Sequence, residues 1–474
     1  MIITETRKFV LGVESLDTVL GKILDSGALV LIAGNPGSGK TLLASTICYA
    51  NASRGIPCLY VSLQETKEVF FKHMKDFNMD FGELESKDLF KYYRVPIIID
   101  PELINTLVNE LSTYSSKYKV LVIDSFTPLS TLIERDSEVR AVLQNFFYNL
   151  AKLEKSLVVL VAEIPIGKET LDLGSVEFVS DVVLLLKQSL KRGLVTRFIE
   201  LRKAREAPIS IGEIAFKIVD GVGIRSFIPP QLDELPKAIH GISYEYPCRE
   251  LNEILGPVNA GSVIYVSIPA DARLTETYAP GLISLSLALK HKLKTLIIGY
   301  VRPIHTSTDL LLERAVKKFP RSYEVIKKLI NELVSVEYVN PATMSLEELY
   351  THEIDLVKSY QPKLLIFDRV DIPSHIHGTE DLESYFTYMW NEILWLKKHG
   401  VTTIKTSAYV NKETYLRNAS VSDTVVRIFK SRKEPTMKIY LWSSKKNPRI
   451  IDLPALDRCI DEFIYSLCTN QQPK

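Results

Sequence analysis

The sequence predicts an α/β protein made of two tandem copies of one domain, each a mostly parallel sheet flanked by helices. Three observations predict it. Short apolar runs alternate with amphipathic stretches from the N-terminus to about residue 225, the pattern of strands joined by crossover helices. The chain has 474 residues, more than one hydrophobic core usually accommodates. The order of segments in the first half then returns in the second.

The strand candidates of the first half are Ala28–Ala33, Cys58–Leu63, Val120–Asp124, Leu157–Ala162, Val182–Leu186 and Arg197–Leu201. Between them lie helical patterns. In PELINTLVNELSTY, the residues Leu103, Ile104, Leu107, Val108 and Leu111 recur at helical spacing and make one apolar face. A proline-rich stretch, IPPQLDELPKA, has no clear period and reads as a linker. The expected organisation is a domain over 1–227, a linker over 228–240 and a second domain over 241–474. LDTVLGKILDSGALVLIAG resembles LNEILGPVNAGSVIYVSI, KYKVLVIDSFTPL resembles QPKLLIFDRVDIP, and FVSDVVLLLK resembles SVSDTVVRIFK. The three matches keep their order, at offsets of about 234, 244 and 242 residues, and loop insertions account for the small changes.

Composition bounds the rest. Apolar residues make up 46% and charged residues 24% of the chain, and the formal net charge is +1. No global field draws such a chain to nucleic acid or to an anionic membrane. The five cysteines (48, 58, 248, 459 and 468) include no CxxC pair, and their odd count argues against a disulfide framework and a zinc site. With no secretory leader pattern and no apolar run of membrane-spanning length, a reducing cytoplasm is expected and membrane insertion is not.

Gly34-Asn35-Pro36-Gly37-Ser38-Gly39-Lys40-Thr41 follows the first apolar run and fits the G-x-x-x-x-G-K-[ST] loop. Glycines let the backbone turn tightly and bring N–H groups against phosphate oxygens. The helix that begins near Lys40 directs its free N–H groups and positive dipole end at the same anion. Lys40 adds a full charge at the β- and γ-phosphates, and Thr41 offers a hydroxyl to Mg²⁺. The magnesium partner is expected as an acidic residue ending a second apolar strand, and KVLVIDS supplies Asp124.

With these residues in place the first half resembles the RecA-fold ATPases of the KaiC type. The resemblance runs through LGVESLDTVL, GNPGSGKT, CLYVSLQET, MDFGELESKDLF, VLVIDS, VEFVSD and FIELRKAREAP…GEIAFKI, and so covers almost all of Val10–Phe227. It implies two tandem RecA-like P-loop NTPase domains, ATP binding, and a homo-oligomeric ring, usually a hexamer, with nucleotides between subunits. The family places two adjacent glutamates after the second strand, where they activate the attacking water. This chain has Gln64 and Glu65 there. Glutamine orients water but cannot take its proton, so Glu65 is the candidate base. The family also sends a Lys-x-Arg pair to the neighbouring subunit's γ-phosphate; Lys203 and Arg205 match it, with Arg202 the alternative by register. Glu163 falls where related ATPases place a polar γ-phosphate sensor.

The second copy lacks this equipment. Aligning Gly27 with Gly261 puts Ile268 at Gly34, Asp271 at Gly37, Arg273 at Gly39 and Leu274 at Lys40. Side chains at the glycine positions keep the backbone away from phosphate, and Asp271 repels it. Thr275 and Asp368 keep their chemistry, and Lys445 falls against Arg205, near Tyr440 and Trp442. The second domain is therefore expected to be a pseudo-ATPase or a partner-binding module. His375 and His377 read as loop histidines without a third ligand. The basic stretch Lys430–Arg449 reads as a solvated edge rather than a single-stranded nucleic-acid site. The reading is a slow Mg-dependent ATPase acting as an oligomeric regulatory switch with a regulatory protein partner. Two rivals stay open: a RadA-paralogue-like recombination accessory that binds single-stranded DNA, and a non-hydrolysing ATP-gated scaffold.

Overall fold

The structure is a computed structural model that describes residues 8–95, 101–128, 137–165, 175–205, 209, 211–232, 234–237, 239–271, 274–301, 306–378, 381–430 and 437–469. The chain divides into two compact units, Met1–Ile228 and Pro229–Lys474.

The strands of the first unit are β1 (Ala28–Gly34), β2 (Cys58–Ser62), β3 (Phe90–Arg94), β4 (Val120–Asp124), β5 (Leu157–Glu163), β6 (Val182–Lys191), β7 (Leu194–Ala204), β8 (Glu213–Val219) and β9 (Gly223–Phe227). They form one sheet in the order β3-β2-β4-β5-β1-β6-β7-β8-β9. The strands from β3 to β6 run parallel, and β6 to β9 are joined as antiparallel hairpins. β1 is apolar throughout because both of its faces are covered: Ala28, Val30 and Ile32 enter one core, Leu29, Leu31 and Ala33 the other. The helix Lys40–Ala52 covers the first face. Helices Pro101–Ser115 and Ser137–Lys152 cover the second, where Leu111 is buried and Val108 packs against the core. The side chains of Leu103, Ile104 and Leu107 lie outside the described ones. Three strands escaped the sequence reading. β3, FKYYR, and the hairpin partners β8 and β9 are short and half-polar, since they lie toward the sheet's margins.

The second unit begins with a two-stranded ribbon, β10 (Ser243–Tyr244) and β11 (Val258–Asn259). Its main sheet holds β12 (Val263–Pro269), β13 (Thr295–Gly299), β14 (Val334–Tyr338), β15 (Leu364–Asp368), β16 (Thr402–Tyr409), β17 (Thr424–Lys430), β18 (Met437–Ser443) and β19 (Lys446–Asp452). The order β14-β13-β15-β16-β12-β17-β18-β19 repeats the first sheet place for place, and only β9 lacks a counterpart. One brace recurs in atomic detail. The Leu29 N–H donates to Asp181 Oδ2 at 2.9 Å, and the Val263 N–H donates to Asp423 Oδ2 at 2.8 Å. Lys152 reaches Asp181 at 3.0 Å, and Lys397 reaches Asp423 at 3.1 Å.

Two expectations are corrected. The cysteines pair, Cys48 with Cys58 and Cys248 with Cys459. The odd count was a poor guide, because facing elements bring buried sulfurs together whatever the total; it marks no reducing compartment. His375 and His377 lie on a helix, Asp371–Gly378, not in a loop. His377 is buried, with Nε2 3.2 Å from the Pro341 carbonyl oxygen. Among the described residues no helix is long and apolar enough to cross a membrane.

The second core differs from the first at a charged point. Lys405 pairs with Tyr265 and Phe367, the place of Leu160 between Leu31 and Ile123 in the first unit. Leu160 is wholly buried, and Lys405 is buried as well, beside Glu353 and Glu392. Tyr300 donates to Glu353 at 2.5 Å, and Tyr350 and Tyr385 line the same place. Burial pushes Glu353 up to about 7 from 4.5. Burial and the facing Glu353 carboxyl also raise Glu392. Lys405 falls to about 8 from 10.5, again by burial. Between pH 4.5 and 7 the folded state holds the extra proton on Glu353, so stability falls as pH rises. Between pH 8 and 10.5 the unfolded state holds the extra proton on Lys405, so stability rises again. The Glu353 proton alone should therefore leave the second unit less stable at pH 7 than at pH 5. Urea midpoints at pH 5 and pH 7 should show that Glu353→Gln flattens the acid limb, by on the order of 2 kcal/mol. An unchanged slope in Glu353→Gln would remove this residue as the cause.

Candidate functional site

β1 ends at Gly34, and the chain turns through residues 35–39 into the helix Lys40–Ala52. The local sequence leaves little choice. A Cβ at Gly34 would lie 2.5 Å from the Leu186 carbonyl oxygen and 2.7 Å from Ser38 Oγ. Gly39 caps the helix at φ 103° and supplies no side-chain cap, so the first-turn N–H groups remain available to an anion. Gly37 also has positive φ, with open space where a side chain would stand. Asn35 pins the loop by donating from Nδ2 to the carbonyls of Ile164 and Pro165, both at 3.1 Å. The Pro36 carbonyl accepts from Gln188 at 3.5 Å. The Ser38 hydroxyl is buried and finds no partner among the described residues. An orphaned hydroxyl inside a glycine turn at an uncapped helix start fits a cradle for phosphate.

Lys40 is buried, and its Nζ donates to the Asn35 carbonyl at 2.9 Å. Burial lowers its pKa, and the charges of Glu163 and Asp124 pull it back up. Asp124 ends β4 and sits opposite Ser62 of β2. Burial raises its carboxyl, and hydrogen bonds from the Tyr60 and Thr41 hydroxyls work in the other direction. The Tyr60 bond is 2.7 Å long. Glu163 ends β5 beside Gly34, its N–H held by the Thr127 hydroxyl at 2.7 Å. The fold thus gathers Lys40, Thr41, Asp124 and Glu163 at the carboxyl ends of three adjacent strands, where open α/β sheets bind ligands.

The other predicted residues are placed separately. The Ser62 hydroxyl accepts from the N–H groups of Gln64 at 3.3 Å and Glu65 at 3.1 Å, which closes the turn after β2. Gln64 is exposed. The Glu65 carboxylate lies 3.7 Å from His73 Nδ1, and no contact among the described residues joins it to Lys40 or Asp124. Lys203 and Arg205 do come together. Lys203 Nζ donates to the carbonyls of Glu177 and Phe178 at 2.8 Å, and Arg205 donates to the same Phe178 carbonyl at 3.0 Å. Burial first, and Arg205 next, lower the Lys203 pKa. Arg205 also lies 3.7 Å from Asp181. Arg202 stands apart, bonded to Glu200 at 3.1 Å. It is the extra residue of a β-bulge, because Val183 pairs with Lys203 and Leu184 with Leu201. Bulges re-aim the side chains beyond them.

The second unit has no bulge there. Val425 pairs with Trp442 and Val426 with Leu441. The Ser444 N–H bonds the Asp423 carbonyl as the Arg205 N–H bonds that of Asp181. So Trp442 and Ser444 occupy the places of Lys203 and Arg205, and the alignment of Lys445 with Arg205 is corrected by one residue. Lys445 instead donates to the Pro257 carbonyl at 2.8 Å and to Asn259 at 3.0 Å. Asp271 pairs with Lys430 at 2.6 Å. Arg273 and the side chains of Leu274 and Thr275 lie outside the described ones. Ala408 stands where Glu163 does, opposite Ile268 in place of Gly34. Sequence reasoning missed Tyr60, whose one available signal was a phenol hydroxyl inside a buried strand, and missed the bulge altogether.

Fold and loop together define a P-loop NTPase of RecA-like architecture. The family model for the KaiC ATPase matches residues 10–230. The matched region, a little under half of the chain, is KaiC-like and similar to P-loop ATPases of the RecA superfamily, a similarity that implies nucleotide binding. The chain is 25% identical over 259 residues to the circadian clock protein KaiC3 of Synechocystis, covering 53% of this chain and 51% of that protein. It is 25% identical over 231 residues to the circadian clock oscillator protein KaiC of Thermostichus vulcanus, 46% of this chain and 44% of the relative. It is 26% identical over 231 residues to the UPF0273 protein MK0039 of Methanopyrus kandleri, 45% of this chain and 89% of that shorter protein. The matched stretch spans about half the length of the KaiC relatives.

Proposed function

We propose that the first unit binds Mg-ATP, hydrolyses it slowly, and uses its ATP state to switch the contacts of a homo-oligomer. The observation that carries the reading is the convergence of a buried ammonium, Lys40, a half-buried carboxylate, Asp124, and an uncapped glycine-lined helix start. The loop residues Gly34 to Thr41 hold the phosphates; Thr41 and Asp124 would hold magnesium, which would supply positive charge to offset that of the phosphates. Glu65 takes the proton of the attacking water after leaving His73, and Gln64 orients that water. Lys203 and Arg205 serve the site of a neighbouring subunit. The second unit acts as a pseudo-ATPase that supports assembly and partner binding.

Size measurement with and without Mg-ATP tests this reading in wild type and Lys40→Ala. Assembly should grow with Mg-ATP in the wild type only. Equal sizes in all four samples, with no ATP bound, would end it. A second reading, a non-hydrolysing ATP-gated scaffold, has a specific observation behind it: the 3.7 Å pairing of Glu65 with His73 next to an exposed Gln64. Phosphate release separates the two. Glu65→Gln should slow release by about 100-fold or more with ATP affinity unchanged, and a rate equal to wild type would favour the scaffold.

A further inference from the structure

The two sheets share one register around their strand-end carboxylates, so residues are compared position by position. In the first unit Tyr60 of β2 lies between Tyr92 of β3 and Val122 of β4, and Ser62 lies opposite Asp124. In the second, Ile297 of β13 lies between Val336 of β14 and Ile366 of β15, and Gly299 lies opposite Asp368. The first unit fills this place with two stacked tyrosine rings, their centroids 5.9 Å apart, and Tyr60 holds Asp124. The second replaces both rings with aliphatic side chains and does not refill the volume. A cavity of about 50 Å³ remains, several times the roughly 10–15 Å³ that one water needs.

The cavity has two kinds of wall. Ile297, Val336 and Ile366 make an apolar side, and Asp368, Thr406 and Thr308 a polar one. It opens at the sheet edge beside Val336 and Tyr338, which are 36% and 39% exposed. Thr406 donates to Asp368 Oδ1 at 2.6 Å, in the role that Tyr60 has in the first unit. Oδ2 accepts no hydrogen bond among the described residues. The helix Ser307–Lys318 starts at the cavity but offers little to an anion. Its capping box is complete, with Thr306 accepting from the Asp309 N–H and Asp309 accepting from the Thr306 N–H. Asp368 is the one charged residue among the described lining residues.

We propose that this cavity binds a short-chain primary amine, its ammonium group on Asp368 Oδ2 and its carbon chain against Ile297, Val336 and Ile366. The charge calls for a cation, the free acceptor calls for an N–H donor, and the volume admits a chain of a few carbons. The site lies in the copy that has lost its phosphate loop and does not depend on nucleotide binding by the other.

Calorimetric titration of the full-length protein with propylammonium chloride at constant ionic strength tests the proposal, with 1-propanol as the uncharged control. Saturable binding with one site per chain is expected, weakened by about tenfold or more in Asp368→Asn. The double variant Ile297→Tyr, Val336→Tyr restores the first unit's rings and should abolish binding; Asp368→Asn keeps the test open if that variant does not fold. No saturable binding to wild type, binding within about twofold of wild type in Asp368→Asn, or equal binding of 1-propanol would each overturn it.

Discussion

Lys40→Ala is expected to lower ATP affinity by at least about 100-fold while the protein stays folded. The ammonium is buried, and among the described residues its one hydrogen bond is to the Asn35 carbonyl. Its place in the apo fold is thus held by little, and its role is to meet negative charge. Removing one partner of a desolvated charge pair costs on the order of 2–5 kcal/mol, and about 1.4 kcal/mol is tenfold in affinity. Stability should change little, because burial already disfavours the charged form. A nucleotide titration read by calorimetry checks the affinity, and urea unfolding checks the fold. An affinity within about threefold of wild type would show that the phosphates rest elsewhere.

The second large effect is expected at the basic pair. Arg205→Ala should reduce turnover by about 1,000-fold with nucleotide affinity unchanged, the usual size of an arginine contribution to phosphoryl transfer. Lys203→Ala should follow in the same direction, since both cations sit on the Phe178 carbonyl and move as one group. If the pair acts across a subunit boundary, the two defects must complement. Lys40→Ala retains the pair but lacks a working loop, and Arg205→Ala is the reverse. Mixed assemblies of the two should regain part of the lost phosphate release. Mixed assemblies that form and stay inactive would place the pair in its own subunit's site, or outside catalysis.

The parts of the site legible in the sequence are those whose chemistry is bound to local spacing. The loop from Gly34 to Thr41 is one turn between a strand and a helix, and Asp124 ends an unbroken apolar strand. Tyr60 was not legible, because its hydroxyl matters only once β2 and β4 lie side by side. The bulge at Arg202 was not legible either, since an extra residue shows only against its partner strand. That single residue also explains why counting along the chain put Lys445 at the place of Arg205, where pairing puts Ser444. The cysteines misled for the same reason. Cys48 and Cys58 are close in sequence but belong to a helix and a strand, and Cys248 and Cys459 are 211 residues apart. β3 joins the parallel sheet although its alternation of Lys91 and Tyr92 resembles a surface strand.

The brace formed by Asp181 with Leu29 and Lys152, and by Asp423 with Val263 and Lys397, is the same in both copies. It ties the central strand to its neighbour without touching the loop or the strand-end carboxylate, although in the first unit Asp181 also meets Arg205. Scaffold and phosphate loop are thus under separate hereditary control. Mutation was free to replace the loop's glycines and lysine in one duplicate while its framework stayed sound, and an engineer transplanting residues 34–41 into that duplicate would inherit a chassis already aligned to receive them.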